Sequence, residues 1–190
     1  MPPTIASMTS LDRILFINDF FFFLIAIFSF ILSLQNILID FIIFLTASQQ
    51  KSAQSSVTRI TAKPVGEGVR IETPFYTDFG KNITVGNHVF INAGCKFQDQ
   101  GGIFIGDGTF IGHNTVLATL DHDIDPDKRH LLYPAPIHIG NKVWIGAGVI
   151  ITKGVTNGDN SVIAAGAVVT HDIPANVIAA GVPAKVLREI

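Results

Sequence analysis

Ile139-Gly-Asn-Lys-Val-Trp144, Ile145-Gly-Ala-Gly-Val-Ile150, Ile151-Thr-Lys-Gly-Val-Thr156, Asn157-Gly-Asp-Asn-Ser-Val162, Ile163-Ala-Ala-Gly-Ala-Val168 and Val169 decide the fold once they are written in sixes. The first place is aliphatic in every unit but the one that begins at Asn157. The second place is small, and the fifth is Val, Ser or Ala. A period of six is neither the helical 3.6 nor the strand period of 2, so the stretch is a structural repeat. Six residues make a short strand and a corner. The first place points inward and stacks on its equivalent one coil away, and a small second place allows a tight bend. The fifth place points inward near a corner, where only a slim side chain fits. Three units close a triangular coil, and coils stack at about 4.8 Å. The expectation is an all-β chain forming a parallel β-helix, a solenoid whose coils touch their neighbours.

The same sixes run back through Val85, Ile91 and Phe97, slip by two residues over 98–103, and resume at Ile105, Ile111 and Leu117. The repeat then stops over 118–136. This segment carries Asp121, Asp123, Asp125, Asp127, Lys128, Arg129 and Tyr133, and it reads as a polar, irregular loop thrown out of the coil. Loops on a rigid scaffold tend to carry function. After Val169, Pro174 and Pro183 end ladder pairing, because proline has no N–H to donate. The expected divisions are an N-terminal segment with its linker over 1–64, the solenoid over 65–183, and a capping turn or short helix over 184–190.

The net charge of −2 offers no basic patch for nucleic acid. The single cysteine, Cys95, excludes an internal disulfide and fits a reducing, cytoplasmic compartment. It falls at a fifth place and reads as a small buried filler, with a reactive thiol as the alternative. Ile14 to Leu45 is apolar and rich in Phe, and 20–39 holds no charge. A helix over 14–46 is expected there, and 20–39 is long enough to span a bilayer. Two readings of this run stand: a membrane anchor, or the product of a shifted reading frame.

In the extruded segment His122 sits in Leu120-Asp-His-Asp-Ile-Asp-Pro126. A neutral imidazole takes a proton from a hydroxyl as it attacks, which suits acyl transfer from a thioester. The sequence holds no Gly-x-Ser-x-Gly nucleophile, so direct single displacement is the economical chemistry. Against this stands the plain reading of His122 as a solvated loop residue. His130 shares the loop, and His88, His113 and His138 occupy outward places of the repeat. Trp144 could be a subunit contact, and Lys185 and Arg188 a charged tail. The alternating aspartates lack the glycine and terminal glutamate of a calcium loop.

From about Pro74 to Arg188 the chain resembles the maltose and galactoside O-acetyltransferases, the sugar branch of the hexapeptide-repeat acetyltransferases. The matching strings are Thr77-Asp-Phe-Gly80, Asn87 to Asn92, Leu120-Asp-His122, Tyr133-Pro-Ala-Pro-Ile137, Asn141-Lys-Val-Trp-Ile-Gly146 and Ala180-Gly-Val-Pro-Ala-Lys185. The resemblance implies a left-handed coil, acetyl-CoA as donor, no metal, and a homotrimer with its site between subunits. It makes His122 the general base and Asn92 a polar liner of the acceptor pocket. Asp78 and Gln100 fall where acceptor contacts lie, although some relatives carry an acid in place of Gln100. Trp144 would wall the pantetheine channel. Ala147 and Ala165 would present backbone groups to its amides. Thr170, His171, Lys185 and Arg188 would lie near the nucleotide, where cations pair with phosphates. The N-terminus departs from the family, whose members have there a helical segment that helps hold the acceptor. Two other functions compete: a catalytically inactive scaffold, motivated by Asn157 and by the atypical N-terminus, and a γ-carbonic-anhydrase-like hydratase, which needs three converging histidines.

Overall fold

The computed structural model describes Thr58 and residues 60–190. The Phe-rich run expected as a helix over 14–46, with its span over 20–39, lies outside the described residues. Among those residues no helix is long and apolar enough to cross a membrane.

The sixes become strands of two or three residues. One coil consists of β1 (Arg70–Ile71), β2 (Tyr76–Thr77) and β3 (Ile83–Val85). The next consists of β4 (Phe90–Ile91), β5 (Lys96–Gln98) and β6 (Ile103–Ile105). The third has β7 (Phe110–Ile111) and β8 (Val116–Ala118), then the hairpin β9 (Leu120–His122) and β10 (Leu132–Pro134), and closes with β11 (Ile137–Ile139). A fourth follows through β12 (Trp144–Ile145), β13 (Ile150–Ile151) and β14 (Thr156–Asn157). The fifth has β15 (Val162–Ile163) and β16 (Val168–Val169), with Ile173 bridging in parallel to Asn157. Parallel pairing from coil to coil builds three faces. The first runs β1-β4-β7-β12-β15 and ends in β17 (Val177–Gly181) and β18 (Ala184–Glu189). The second runs β2-β5-β8-β13-β16, and the third β3-β6-β11-β14.

Register explains the core. Ile71, Ile91, Ile111, Ile145, Ile163 and Ala179 stack in order inside the first face. Phe97, Leu117, Ile151 and Val169 stack inside the second. Val85, Ile105, Ile139, Asn157 and Ile173 stack inside the third. Fifth places such as Val89, Cys95, Thr115, Val149 and Ala167 fill the corners and are buried. Cys95 is the filler expected. Burial pushes its thiol above the ordinary value, despite hydrogen bonds with Thr115, so it is not a ready nucleophile.

Three expectations change. First, the bend does not depend on the second place. The fourth place takes the left-handed conformation, at Lys142 (φ 53°) and Asn160 (φ 59°) as well as at glycines. The second place is small because the coils close on each other there: a Cβ on Gly112 would lie 2.5 Å from the backbone nitrogen of Ala147. Third places on one corner form a side-chain ladder. Asn87 N–H donates to Asp107 Oδ1 (2.7 Å), Asp107 N–H to Asn141 Oδ1 (2.9 Å), and Asn141 N–H to Asp159 Oδ1 (2.7 Å).

Second, the segment after Ala118 is not irregular. Leu120 pairs with Pro134, Asp121 with Tyr133 and His122 with Leu132, antiparallel, and a 3-10 turn at Pro126–Lys128 lies between the strands. Third, 184–190 is neither turn nor helix. Ala184–Glu189 folds back antiparallel on β17, with a register shift between Ile178 and Ala179, and covers the edge of the first face. That pairing occupies the free edge of β17, where a parallel coil would otherwise add.

Candidate active site at the extruded hairpin and the coil corners

The hairpin leaves the corner between the second and third faces, and its base is tied to the coil by Thr119. This buried threonine donates its hydroxyl to Gln98 O (2.5 Å) and accepts from Gly101 N–H (2.8 Å). Its carbonyl accepts from Ala135 N–H (3.0 Å) where the hairpin returns. Gln100 therefore shares a corner with the hairpin base, one coil below.

His122 ends β9 and is exposed. Its Nδ1 lies 2.5 Å from the carbonyl oxygen of Arg129. A carbonyl can only accept, so Nδ1 carries the proton of the neutral ring and Nε2 keeps its lone pair. The turn beyond is braced by Asp123. Its carboxylate accepts from Asp125 N–H (2.9 Å) and from the Tyr133 hydroxyl (2.7 Å). Those two donors hold the Asp123 carboxyl below its ordinary value, and the carboxylate pushes the Tyr133 phenol up. Lys128 pairs with Asp125 at 3.0 Å.

Asp78 lies at the same corner as the hairpin, toward the start of the coil. Its flanking residues are held by Asp99, which sequence reasoning passed over. Asp99 Oδ1 accepts from the Thr77 hydroxyl and from Phe79 N–H, both at 2.9 Å, and Oδ2 accepts from Asn82 N–H at 3.2 Å. Burial pushes the Asp99 carboxyl up, but these donors and the Gly80 N–H outweigh it, so the group sits below its ordinary value. The two-residue slip at 98–103 was the signal: it makes room for a buried acid inside an apolar coil. A lowered folded value means the stabilisation is present above the unfolded value near ~3.9 and is lost as pH falls through the folded one. Asp99→Asn is expected to lower stability by about 2 kcal/mol at pH 7 and to flatten the fall below pH ~4. Thermal melts of both proteins across that range check this.

Thr170 and His171 follow β16 at the same corner, with Thr170 Oγ1 2.9 Å from His171 Nδ1. The remaining predicted residues lie elsewhere on the coil. Asn92 follows β4 at the corner between the first and second faces, and Ala147 and Ala165 follow β12 and β15 at that corner. Ala147 and Ala165 are on successive coils, with Gly166 N–H donating to Ala147 O (2.9 Å). Trp144 is 60% exposed on the outside of the first face, flanked by Phe110 and Val162. Arg188 pairs with Ile178 and Lys185 with Ala180 at the end of that face. Trp144 and Arg188 are three strands apart, roughly 14 Å at the usual sheet spacing. Within one chain the predicted residues fall along two corners: Asp78, Gln100, the His122 hairpin, and Thr170 with His171 on the first, second, third and fifth coils of one, and Asn92, Ala147 and Ala165 on the second, fourth and fifth coils of the other, with Trp144, Lys185 and Arg188 on the first face. His122 and Asn92 are not brought together by a single coil. His113 lies at the Asn92 corner, away from His122. Among the described residues no three His, Cys, Asp or Glu side chains gather as a metal site would require.

Residues 136–171 match the family model described as bacterial transferase hexapeptide (six repeats). The galactoside O-acetyltransferase of Escherichia coli (strain K12) is 46% identical over 128 residues, 66% of this chain and 63% of that protein, so the chain spans just under two thirds of its length. The maltose O-acetyltransferase of Clostridium difficile 630 is 37% identical at a TM-score of 0.66, covering 75% of this chain and 87% of that one. The hexapeptide-repeat-containing acetyltransferase of Vibrio cholerae O1 biovar eltor, solved with acetyl coenzyme A, is 33% identical at a TM-score of 0.66, covering 73% and 87%. That likeness gives the solenoid the left hand of the hexapeptide-repeat β-helix. The chain belongs to the hexapeptide-repeat acetyltransferases, among relatives named as galactoside and maltose O-acetyltransferases.

Proposed function

We propose that the protein transfers an acetyl group from acetyl-CoA to a hydroxyl of a sugar or similar small acceptor, with His122 as general base. The observation that carries this reading is the His122 imidazole itself. It stands out from the coil on a paired hairpin, with Nδ1 engaged by the Arg129 carbonyl and Nε2 left as acceptor. Nε2 takes the hydroxyl proton as the oxygen attacks the thioester carbonyl. The tetrahedral adduct collapses, the carbon–sulfur bond breaks, and the CoA thiolate leaves. The low pKa of a thiol makes this departure easy, so the barrier lies in deprotonating the acceptor and holding it in line.

Trp144, with Ala147 and Ala165 beside it, would line the pantetheine arm. Lys185 and Arg188 would meet the nucleotide phosphates, and Thr170 and His171 would close that end. Asn92, Asp78 and Gln100 would hold the acceptor. Because one chain places His122 and Asn92 on different corners, we infer that the working unit is a homotrimer in which the hairpin of one copy meets the Asn92 corner of the next. No metal takes part in this scheme.

The test is thiol release from acetyl-CoA in the presence of galactosides and maltose, alongside mass measurement by light scattering. Release that needs both substrates, from a trimeric particle, is the expected result. A trimer that releases no thiol with any sugar or small alcohol overturns the enzymatic reading and favours a scaffold.

A further inference from the structure

We propose that Lys153 is a positioning residue that clasps the His122 hairpin to the coil, an inference that rests on the reading of His122 as the base. Lys153 is the third place of Ile151-Thr-Lys-Gly-Val-Thr156, at the corner between the second and third faces on the fourth coil. The hairpin leaves that same corner one coil below. Lys153 Nζ is 3.6 Å from Asp121 Oδ2 and 5.6 Å from the centre of the Tyr133 ring. Asp121 and Tyr133 are paired across the hairpin, on the rung next to the one formed by His122 and Leu132. One ammonium therefore engages both strands at the rung beside the imidazole. The Tyr133 hydroxyl continues the chain of contacts to Asp123, on the far side of His122. The backbone beside the lysine is close as well: a Cβ on Gly154 would lie 3.5 Å from Ala135 Cβ, in the segment that returns from the hairpin to the coil.

The physical argument separates position from stability. The Lys153 side chain is 28% exposed and that of Asp121 54%, so the pair is solvated, and such pairs contribute little to global stability. Its leverage is geometric. The hairpin protrudes, and its tip is held by contacts internal to itself, Nδ1 to Arg129 O among them. Tilting on its Thr119 hinge would carry the imidazole away as a unit, without breaking any of those contacts. A base displaced by about 1 Å loses on the order of a hundredfold in rate. A lysine bonded to both strands at the penultimate rung opposes that tilt.

The test uses the full chain with Lys153→Met, Lys153→Arg and His122→Ala. Amide hydrogen exchange is followed over 119–136, and thiol release is followed with acetyl-CoA and p-nitrophenyl β-galactoside. The expected result for Lys153→Met is exchange about tenfold faster across the hairpin, unchanged exchange in the coil, kcat lower by ten- to a hundredfold, and KM for acetyl-CoA within twofold. Lys153→Arg, which keeps the cation and its reach, restores both exchange protection and kcat. Unchanged hairpin exchange in Lys153→Met, or failure of arginine to restore it, overturns the clasp. His122→Ala loses its contact with the Arg129 carbonyl, so exchange rises in the turn over 123–131, while the rungs at 120–121 and 133–134 stay near the parent. Retained turnover in that variant would sink the base assignment alone, because the exchange readout does not depend on the chemistry.

Discussion

His122→Ala is expected to reduce kcat for acetyl transfer by about 10²- to 10⁴-fold, the range for losing a general base in the proposed scheme, and to leave the melting temperature within a degree or two. The second half of that expectation follows from geometry. The side chain is exposed, and its hydrogen bond goes to a carbonyl on the same hairpin, so its removal opens no cavity. His122→Asn sharpens the test. An asparagine amide can still donate to Arg129 O and keep the hairpin turn, but it cannot accept a proton near neutral pH. The two variants are therefore expected to be equally inactive, although only one loses the Arg129 contact. Recovery of turnover in the asparagine variant would make His122 a structural brace. Near-normal turnover in the alanine variant, with the fold intact, would remove it from the chemistry altogether. The measurement is initial rate of thiol release at saturating acetyl-CoA, with circular dichroism melts on the same preparations.

The coil was legible because its signal is redundant. Eighteen residues separate Ile145 from Ile163, and they are stacked neighbours, as three sixes require. The inward ladders, the buried Cys95 and the break after Ala118 all follow from that count. The backbone reason for the corner did not follow from it. Gly appears at both second and fourth places, and composition cannot separate close approach, as at Gly112, from a left-handed φ, as at Gly148. The hairpin reads as an irregular loop in sequence because its strand residues, Asp121, His122 and Tyr133, are exposed. A solvated two-stranded ribbon has no apolar alternation to betray it. The catalytic candidate was visible as a histidine in the interruption, and its tautomer was not, since that depends on where the Arg129 carbonyl falls. Asp99, Thr119 and Lys153 escaped notice for a related reason: each acts through backbone groups or neighbours on another coil. The assignment of site residues to two separate corners needed the faces themselves, which the slip at 98–103 and the insertion shift out of simple count.

Asn157 is the polar first place among the sixes of 139–169, and its surroundings give the second large effect. The side chain is fully buried, stacked between Ile139 and Ile173 in the third-face ladder. Neither its amide oxygen nor its amide nitrogen finds a hydrogen-bond partner in the protein, and the Ser161 hydroxyl in the same six is in the same condition. Each buried unpaired polar group costs about 1–3 kcal/mol, and an aliphatic in that column would gain about 1.5–3 kcal/mol from burial. Part of that is taken back by fitting a branched side chain into a packed coil. Asn157→Ile is therefore expected to stabilise the protein by about 2–4 kcal/mol, which raises the melting temperature by roughly 5–12 °C for a domain of this size. Asn157→Val, smaller and equally apolar, should give a gain of the same sign, which separates polarity from volume. Asn157→Asp should lower the melting temperature sharply at neutral pH, because it puts an unpaired carboxyl inside the coil. Acetyl transfer should be unaffected by the isoleucine and valine changes, since the residue points into the core and away from both corners of the site. Melts must be compared at one protomer concentration, because the proposed assembly would add to apparent stability. If both apolar variants melt lower than the parent, the amide is held by a trapped water and Asn157 stabilises the coil; a gain in both makes it a fault that the stacked neighbours tolerate.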